Sequence, residues 1–323
     1  MIPDSLKSKM KKQGYHFVGN HSCIKICEYT SNALRNRELC YKSKFYGIKS
    51  WQCMQVSLSI GCDLSCRFCW RIIPEEMNLK WNELNVDNND DPGQIIEGFI
   101  AEQRKIVSGY KTDYNLEQWD QANNPVHAAI SLTGESLFYK QINELIKLFH
   151  SRKISTFVVT NGTLPEVIEK LEPPTQLYIS LQAPNKEAYE NVTRPKLKNS
   201  WNRFTKSLKI LKNMRPRNVL RMSLVKNLNM FDEEGYAKLI KIAMPDYVEV
   251  KGFSFVGGAR GSMRNLKYTD MPVHNEIREF ADKIAESSSY IVSNEHKTSR
   301  IVLLSRDEEA KNAAKIDFNK LFK

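Results

Sequence analysis

The sequence predicts an α/β fold: a partial (β/α)6 TIM-like barrel with an N-terminal extension before it and C-terminal additions after it. Two observations carry that prediction. From His127 onward, short apolar runs alternate with amphipathic stretches, the pattern of parallel strands joined by crossover helices. Polar, glycine-bearing turns then stand at the carboxyl ends of those runs, where parallel α/β folds bind their ligands. Strands are expected at Val56–Ile60, His127–Leu132, Ser155–Val159, Gln176–Leu181, Val219–Val225 and Tyr247–Lys251. Helices are expected between them at Lys140–Phe149, Leu164–Leu171, Ser200–Asn213 and Asp232–Ala243.

The remaining stretches flank or interrupt this barrel. With 323 residues the chain can form one large α/β domain or two small ones. Residues 1–55 read as the extension and 56–270 as the barrel, with 74–124 inserted and 271–323 packed on as a C-terminal extension. Inside the insertion, Ile95, Ile96, Phe99, Ile100 and Val107 recur at helical spacing and predict a helix over Pro92–Ser108. The polar stretch Tyr110–Asn124 reads as a loop. After Pro272 a helix is expected at Val273–Ser287, then a β-ribbon pairing Ser289–Ser293 with Arg300–Ser305, then a charged tail, Asp307–Lys323.

No apolar run reaches membrane-spanning length, and Met1–Lys12 is too polar and lysine-rich for a signal peptide. The expectation is a cytoplasmic protein away from membranes, monomeric by default. The seven cysteines then read as reduced thiols available to metal. The net charge of +11 is unevenly spread. Met1–Gln55 holds ten Lys/Arg against three Asp/Glu, and Pro74–Asn124 four against eleven. Arg194–Lys226 holds eleven basic residues and no acidic one. A solvated helix face usually mixes signs, so this stretch points to a polyanion such as RNA; the plain alternative is an idle basic surface.

The chemistry concentrates in Gly61-Cys62-Asp-Leu-Ser-Cys66-Arg-Phe68-Cys69-Trp70. Three thiolates on one short loop can hold three irons of a 4Fe–4S cube, leaving the fourth open to a small molecule. No cysteine follows Cys69, whereas a ferredoxin or a structural zinc site would want a fourth ligand nearby. In the extension, Cys27, Cys40 and Cys53 are thirteen residues apart. They read as ligands of a second 4Fe–4S cluster, again with one open iron, or as buried thiols packed like small hydrophobes. Cys23 is left over.

Further residues stand at strand ends. Thr133-Gly134-Glu135 follows the second strand: Gly134 allows a close backbone approach, and Glu135 can accept from an ammonium. The third strand ends in Thr160-Asn161-Gly162-Thr163, in itself an ordinary polar turn. Ser180 on the fourth strand is out of phase with its apolar neighbours and is expected to face the barrel mouth; Arg221, Ser223 and Asn227 follow the same logic on the fifth. The sixth strand leads into a loop with Gly257, Gly258, Arg260 and two phenylalanines, which can stack on a base and touch phosphate or can simply be a glycine turn over core aromatics.

The cysteine loop with Phe68, and the turn at Gly134-Glu135, resemble the radical S-adenosylmethionine (SAM) superfamily. With both triads, Trp70-Arg71 and Ser180-Leu-Gln182-Ala-Pro184 in view, the chain resembles the family of archaeal tRNA 4-demethylwyosine synthases over nearly its whole length. One departure is Thr133, where the superfamily usually has glycine. The resemblance implies that Cys62, Cys66 and Cys69 bind the cluster that cleaves SAM, and that Phe68, Gly134, Glu135, Thr160, Ser180 and Ser223 contact SAM. It implies a radical that abstracts hydrogen from the N1-methyl group of guanosine 37 in tRNA-Phe. The resulting carbon attacks pyruvate, pyruvate loses its carboxylate carbon, and the third ring closes. The second cluster, an open Lewis acid, would help hold pyruvate. Eukaryotic relatives carry an added flavodoxin-like domain; without one, an external donor of flavodoxin or ferredoxin type is expected.

Lys42, two residues after Cys40, is expected to meet pyruvate as a Schiff base or as a charge partner, unless it is a surface lysine. Arg194, Lys196, Lys198 and Arg260 are expected to grip the anticodon stem-loop. The rival readings are another two-cluster RNA-modifying enzyme such as a methylthiotransferase, a glycyl-radical activating enzyme, and a non-catalytic iron–sulfur RNA-binding protein.

Overall fold

A computed structural model describes residues 2–84, 89–214 and 217–322. Arg215 of the basic stretch and residues 85–88 of the expected insertion lie outside the described residues. The strands in chain order are β1 (His16–Val18), β2 (Ser22–Ile24), β3 (Cys53–Ser57), β4 (His127–Ile130), β5 (Ser155–Thr160), β6 (Gln176–Ser180), β7 (Arg217–Arg221), β8 (Tyr247–Lys251), β9 (Ile291–His296) and β10 (Ile301–Ser305). They form one sheet in the order β1-β2-β3-β4-β5-β6-β7-β8-β10-β9. Strands β3 to β8 are parallel neighbours. These are the six strands of the expected open barrel. Antiparallel pairs extend both edges: β1 and β2 beside β3, β10 and β9 beside β8.

Alternation along each strand divides the core in two. One set, including Val56, Ile130, Val158, Ile179, Leu220, Val248 and Val250, packs against helices such as Pro92–Ser108, Ile142–Ser151, Ser200–Leu211, Glu233–Ala243 and His274–Ser288. The other set, Phe157, Tyr178, Val219, Tyr247 and Leu303, packs on Tyr41, Phe45 and Tyr46 of the short helix Tyr41–Tyr46, and on Ile316 and Phe318 of the C-terminal tail. The N-terminal extension and the tail therefore fill the inner face of the barrel.

Several boundaries differ from expectation. The first strand runs Cys53–Ser57, not Val56–Ile60, because the chain leaves the ladder at Leu58, whose carbonyl meets the His21 ring at 2.7 Å. The fifth runs Arg217–Arg221, not Val219–Val225. Beyond it, the Ser223 amide donates to Gln182 Oε1 (3.1 Å) and the Val225 amide to Asn229 Oδ1 (2.7 Å), so side chains replace the ladder towards β6. Part of the expected loop Tyr110–Asn124 is a helix, Leu116–Ala122. It is held by Trp119 Nε1 donating to Val107 O (3.0 Å) and Asn115 Nδ2 to Leu34 O (2.6 Å). The ribbon pairs Ile291–His296 with Ile301–Ser305.

Candidate active site at the parallel strand ends

The loop carrying Cys62, Cys66 and Cys69 leaves β3 and is clamped on several sides. The Ser65 and Arg67 amides donate to Thr193 O and Val192 O, both at 2.9 Å, and the Lys196 amide donates to Asp63 O at 2.9 Å. Arg264, fully buried, spans the loop from beneath: it bonds Cys66 O (2.7 Å), Arg71 O (2.9 Å) and the Glu76 carboxylate (2.8 Å). All three thiols are half-buried. Burial pushes Cys62 and Cys66 well above the ordinary thiol range, so a bound metal is what would hold them as thiolates. Among the described residues no three His, Cys, Asp or Glu side chains close on a single-ion site. Asp63, between the first two ligands, is buried with Oδ2 unpaired while Oδ1 accepts from Asn161 (2.7 Å). An orphaned polar atom and a trio of half-buried thiols fit a multi-atom polar group seated here.

Gly134 has φ +68°, and a Cβ there would lie 2.1 Å from Ser59 O and 2.8 Å from Gly61 O. Only glycine lets the turn lie against the cysteine loop. The Glu135 amide donates to Gly61 O (2.7 Å). Its buried carboxylate accepts from the Leu137 amide (3.1 Å) and the Asn161 amide (2.8 Å). Burial raises its pKa to about 7 against these bonds, so a cation beside it would be needed to favour the charged form. Thr160 is buried; its hydroxyl bonds Glu135 and accepts from the Gly162 amide at 3.1 Å. Thr133 exchanges two hydrogen bonds with the Ser57 hydroxyl, tying its backbone to β3. Ser180 and Ser223 are half-buried at the ends of β6 and β7. Phe68 packs with Val192, Val225, Leu228 and Phe253 on the opposite wall.

Cys27 and Cys40 cap the helices Glu28–Ala33 and Tyr41–Tyr46, and Cys53 opens β3. The fold brings them together: burial is the main effect on each pKa, and Cys53 senses Lys42, Cys27 and Cys40, while Cys40 senses Cys27 and Lys42. Burial lifts Cys40 and Cys53 to about 12. Lys42 is not on the surface; it is 7% exposed, with its ammonium 5.1 Å from the Phe157 ring and 4.8 Å from the Tyr178 ring. Cys23 is buried in β2 in a cluster with Tyr15, Ile60 and Trp70, where burial lifts its pKa to about 12.

The basic residues divide. Arg194 and Lys198 are exposed, and Arg194 donates to Met263 O at 3.2 Å. Lys196 is paired with Glu75 at 2.5 Å. Arg203, Arg221 and Lys226 pair with Glu166, Glu249 and Glu276. Carboxylates from elsewhere in the chain thus neutralise part of a stretch that has none of its own. Arg260 is exposed and donates to Phe255 O at 3.0 Å. Asn227 is turned towards Asp270, at 2.9 Å.

Two groups escaped the sequence reading. Arg264 gave no signal beyond its type. Glu249 did give one: it is a carboxylate inside a buried strand, in phase with Tyr247 and Lys251 and against Val248 and Val250. It accepts from Arg221 Nε (2.7 Å), Tyr46 (2.8 Å) and Tyr41 (3.3 Å).

Comparison with known proteins gives consistent matches. The radical SAM superfamily model matches residues 56–240, and the wyosine base formation model residues 242–306. The S-adenosyl-L-methionine-dependent tRNA 4-demethylwyosine synthase of Pyrococcus horikoshii is 39% identical over 319 residues, covering 95% of this chain and 90% of that protein. The synthase of Arabidopsis thaliana is 36% identical over 99% of this chain, which spans 50% of that protein. Among solved structures, TYW1 with a lysine-pyruvate adduct bound superposes with a TM-score of 0.84 at 33% identity, covering 98% of this chain and 99% of that one. An archaeal TYW1 superposes at 0.75 with 31% identity and the same coverage.

Proposed function

The chain belongs to the tRNA 4-demethylwyosine synthase family of the radical SAM superfamily, and on that footing we propose which substrates it joins and which residues join them. It is a SAM-dependent iron–sulfur enzyme of wyosine base formation acting on tRNA. Its substrate is tRNA-Phe bearing N1-methylguanosine at position 37, its co-substrate is pyruvate, and its product is 4-demethylwyosine.

Cys62, Cys66 and Cys69 would hold one 4Fe–4S cluster and Cys27, Cys40 and Cys53 a second, each with an open iron. The first, when bound and reduced by an external flavodoxin- or ferredoxin-type donor, supplies the electron that splits SAM to methionine and a 5′-deoxyadenosyl radical. The chain's residues position the reactants. Glu135 accepts from the SAM ammonium, with Gly134 allowing the approach and Thr160 orienting the carboxylate. Ser180 and Ser223 offer hydroxyls to its polar end, and Phe68 an apolar wall to its adenine. Lys42 takes pyruvate, its amine attacking the ketone with loss of water so that the acid is held as a Schiff base. Residues 1–55 carry most of the second site, 56–270 the first, and 271–323 close the barrel's flank. Arg194, Lys198 and Arg260 meet phosphate, with Lys196 shared between RNA and Glu75. A reducing cytoplasm suits both clusters; among the described residues no helix is long and apolar enough to cross a membrane.

One juxtaposition carries this reading: a buried lysine lodged between two aromatic rings beside three converging cysteines. A structural relative binding a lysine-pyruvate adduct supports it. The test is an anaerobic incubation of reconstituted, reduced protein with SAM, pyruvate and methylated tRNA, followed by the mass of the released nucleoside. A tricyclic product that needs pyruvate is expected; a methylthio product, or cleavage of SAM with no change in the base, rejects the assignment. Lys42→Ala should lose the product while still cleaving SAM.

A further inference from the structure

Lys251 ends β8 on the inner face, in phase with Tyr247 and Glu249, whereas Val248 and Val250 belong to the helix-facing core. Lys42 lies on the same face: its ammonium is 4.8 Å from the Tyr178 ring, which also covers Arg221, the partner of Glu249. Both lysines sense Cys40, Arg221 and Glu249, although one arrives from the extension and the other from the sixth parallel strand. The carboxylate of Glu249 is already committed, to Arg221 and two tyrosines. Arg221 is locked by it and covered by the Tyr178 ring, 4.4 Å from the guanidinium carbon. Lys251 has no carboxylate of its own among the described residues. Its ammonium makes one hydrogen bond, to Ser299 O at 3.2 Å, which leaves donors free. Burial, together with Arg221 and Arg300, depresses its pKa to about 8. An entering anion would relieve that repulsion.

An α-keto acid presents two adjacent groups, an electrophilic ketone and a carboxylate. Two lysines on one face can serve both, one by attacking the ketone and one by pairing with the carboxylate. We propose that Lys251 binds the carboxylate of the α-keto acid whose ketone is taken by Lys42, and so sets the preference for an acid over an uncharged ketone. The proposal rests on the reading of Lys42 given above. The competing role is mechanical: Lys251 straps the turn before β10 through Ser299.

The experiment uses the two-cluster holoenzyme, with variants compared at matched iron content. Borohydride reduction traps the imine at Lys42, and peptide mass measures the trapped fraction against concentration of pyruvate or of its uncharged methyl ester. Lys251→Gln should raise half-saturating pyruvate at least tenfold and leave the methyl ester within twofold of wild type. Lys251→Arg, which keeps the charge, should recover most of the pyruvate dependence. An unchanged pyruvate curve in Lys251→Gln overturns the proposal, as does an equal loss with both compounds, which is the outcome of a strap. If wild-type protein traps nothing at Lys42, the parent reading itself fails, and this one with it.

Discussion

At the scale of single residues, the site depends on positions that admit one side chain. Gly134 combines a left-handed backbone with two carbonyl oxygens inside contact distance of a would-be Cβ. Gly134→Ala should therefore cost on the order of 2–4 kcal/mol through backbone strain and displacement of the cysteine loop. Chemical denaturation would read the stability loss, and SAM cleavage should fall with it even where folded protein is recovered. His127 is a second such position. It is buried neutral at the head of β4, with Nε2 accepting from the Lys49 amide (3.1 Å), Nδ1 bonded to Ser155 Oγ (2.7 Å) and Phe318 against its ring. Burial, aided by Lys49 and Lys42, lowers its pKa to about 3. The unfolded chain, with a histidine pKa near 6.5, binds the extra proton first. Stability is full above about pH 6.5 and is lost as pH falls towards 3, at roughly 1.4 kcal/mol per unit from this group. Urea melts at pH 7 and 5.5 should show that slope, and His127→Gln, which keeps an acceptor for Lys49, should flatten it by one proton. An identical slope in the variant would remove His127 as the cause.

At the scale of elements, the cysteine loop is held by a partner 198 residues from its middle ligand: Arg264 reaches from the turn after β8 to Cys66 O, Arg71 O and Glu76. Arg264→Gln leaves a half-buried carboxylate and two carbonyls short of a donor, a loss of about 3–5 kcal/mol for a broken buried pair. The damage should be local. Anaerobic reconstitution should yield about half the wild-type iron, with Lys42 adduct trapping preserved because the second triad rests on other elements. Equal loss at both sites would mean that the molecule has unfolded instead. Such long-range clamps explain what the sequence could and could not disclose. The helix Pro92–Ser108 was legible to the residue, since Asp91 caps it through the Gln94 amide (2.9 Å) and its apolar face is periodic. Spacing and type were enough to propose both cysteine triads, and the fold sets the members of each near one another. Helix Leu116–Ala122 was not legible, because Leu116 is 48% exposed and the helix has no apolar stripe. The early start of β3 at Cys53 was hidden because Gln55 interrupts a pattern that only burial on the inner face makes sense of. Arg264 could not be singled out, as nothing local distinguishes an arginine that will be buried from one that will bind phosphate.

At the scale of the molecule, the inner face of the barrel is closed below by Tyr41, Phe45, Tyr46 and the C-terminal tail, so substrates must enter at the carboxyl ends of the parallel strands. The charge available there is smaller than the run Arg194–Lys226 implies. Glu75 and Glu76 of the acidic segment are taken up by Lys196 and Arg264, and Arg203, Arg221 and Lys226 have carboxylate partners as well. Arg194 and Lys198 remain exposed near the mouth. If these two supply phosphate contacts and Lys196 is largely spent on Glu75, neutralising Arg194, Lys196 and Lys198 together removes about two contacts from the salt dependence, not three. Each contact contributes a slope of roughly 0.9 in log affinity against log salt, so the drop in tRNA affinity between 50 and 200 mM salt should become about tenfold shallower. Titration of tRNA binding at several salt concentrations measures this directly. Lys196→Gln alone should change the slope little, and an unaltered slope in the triple variant would show that the basic stretch serves carboxylates elsewhere in the chain and leaves RNA to another surface.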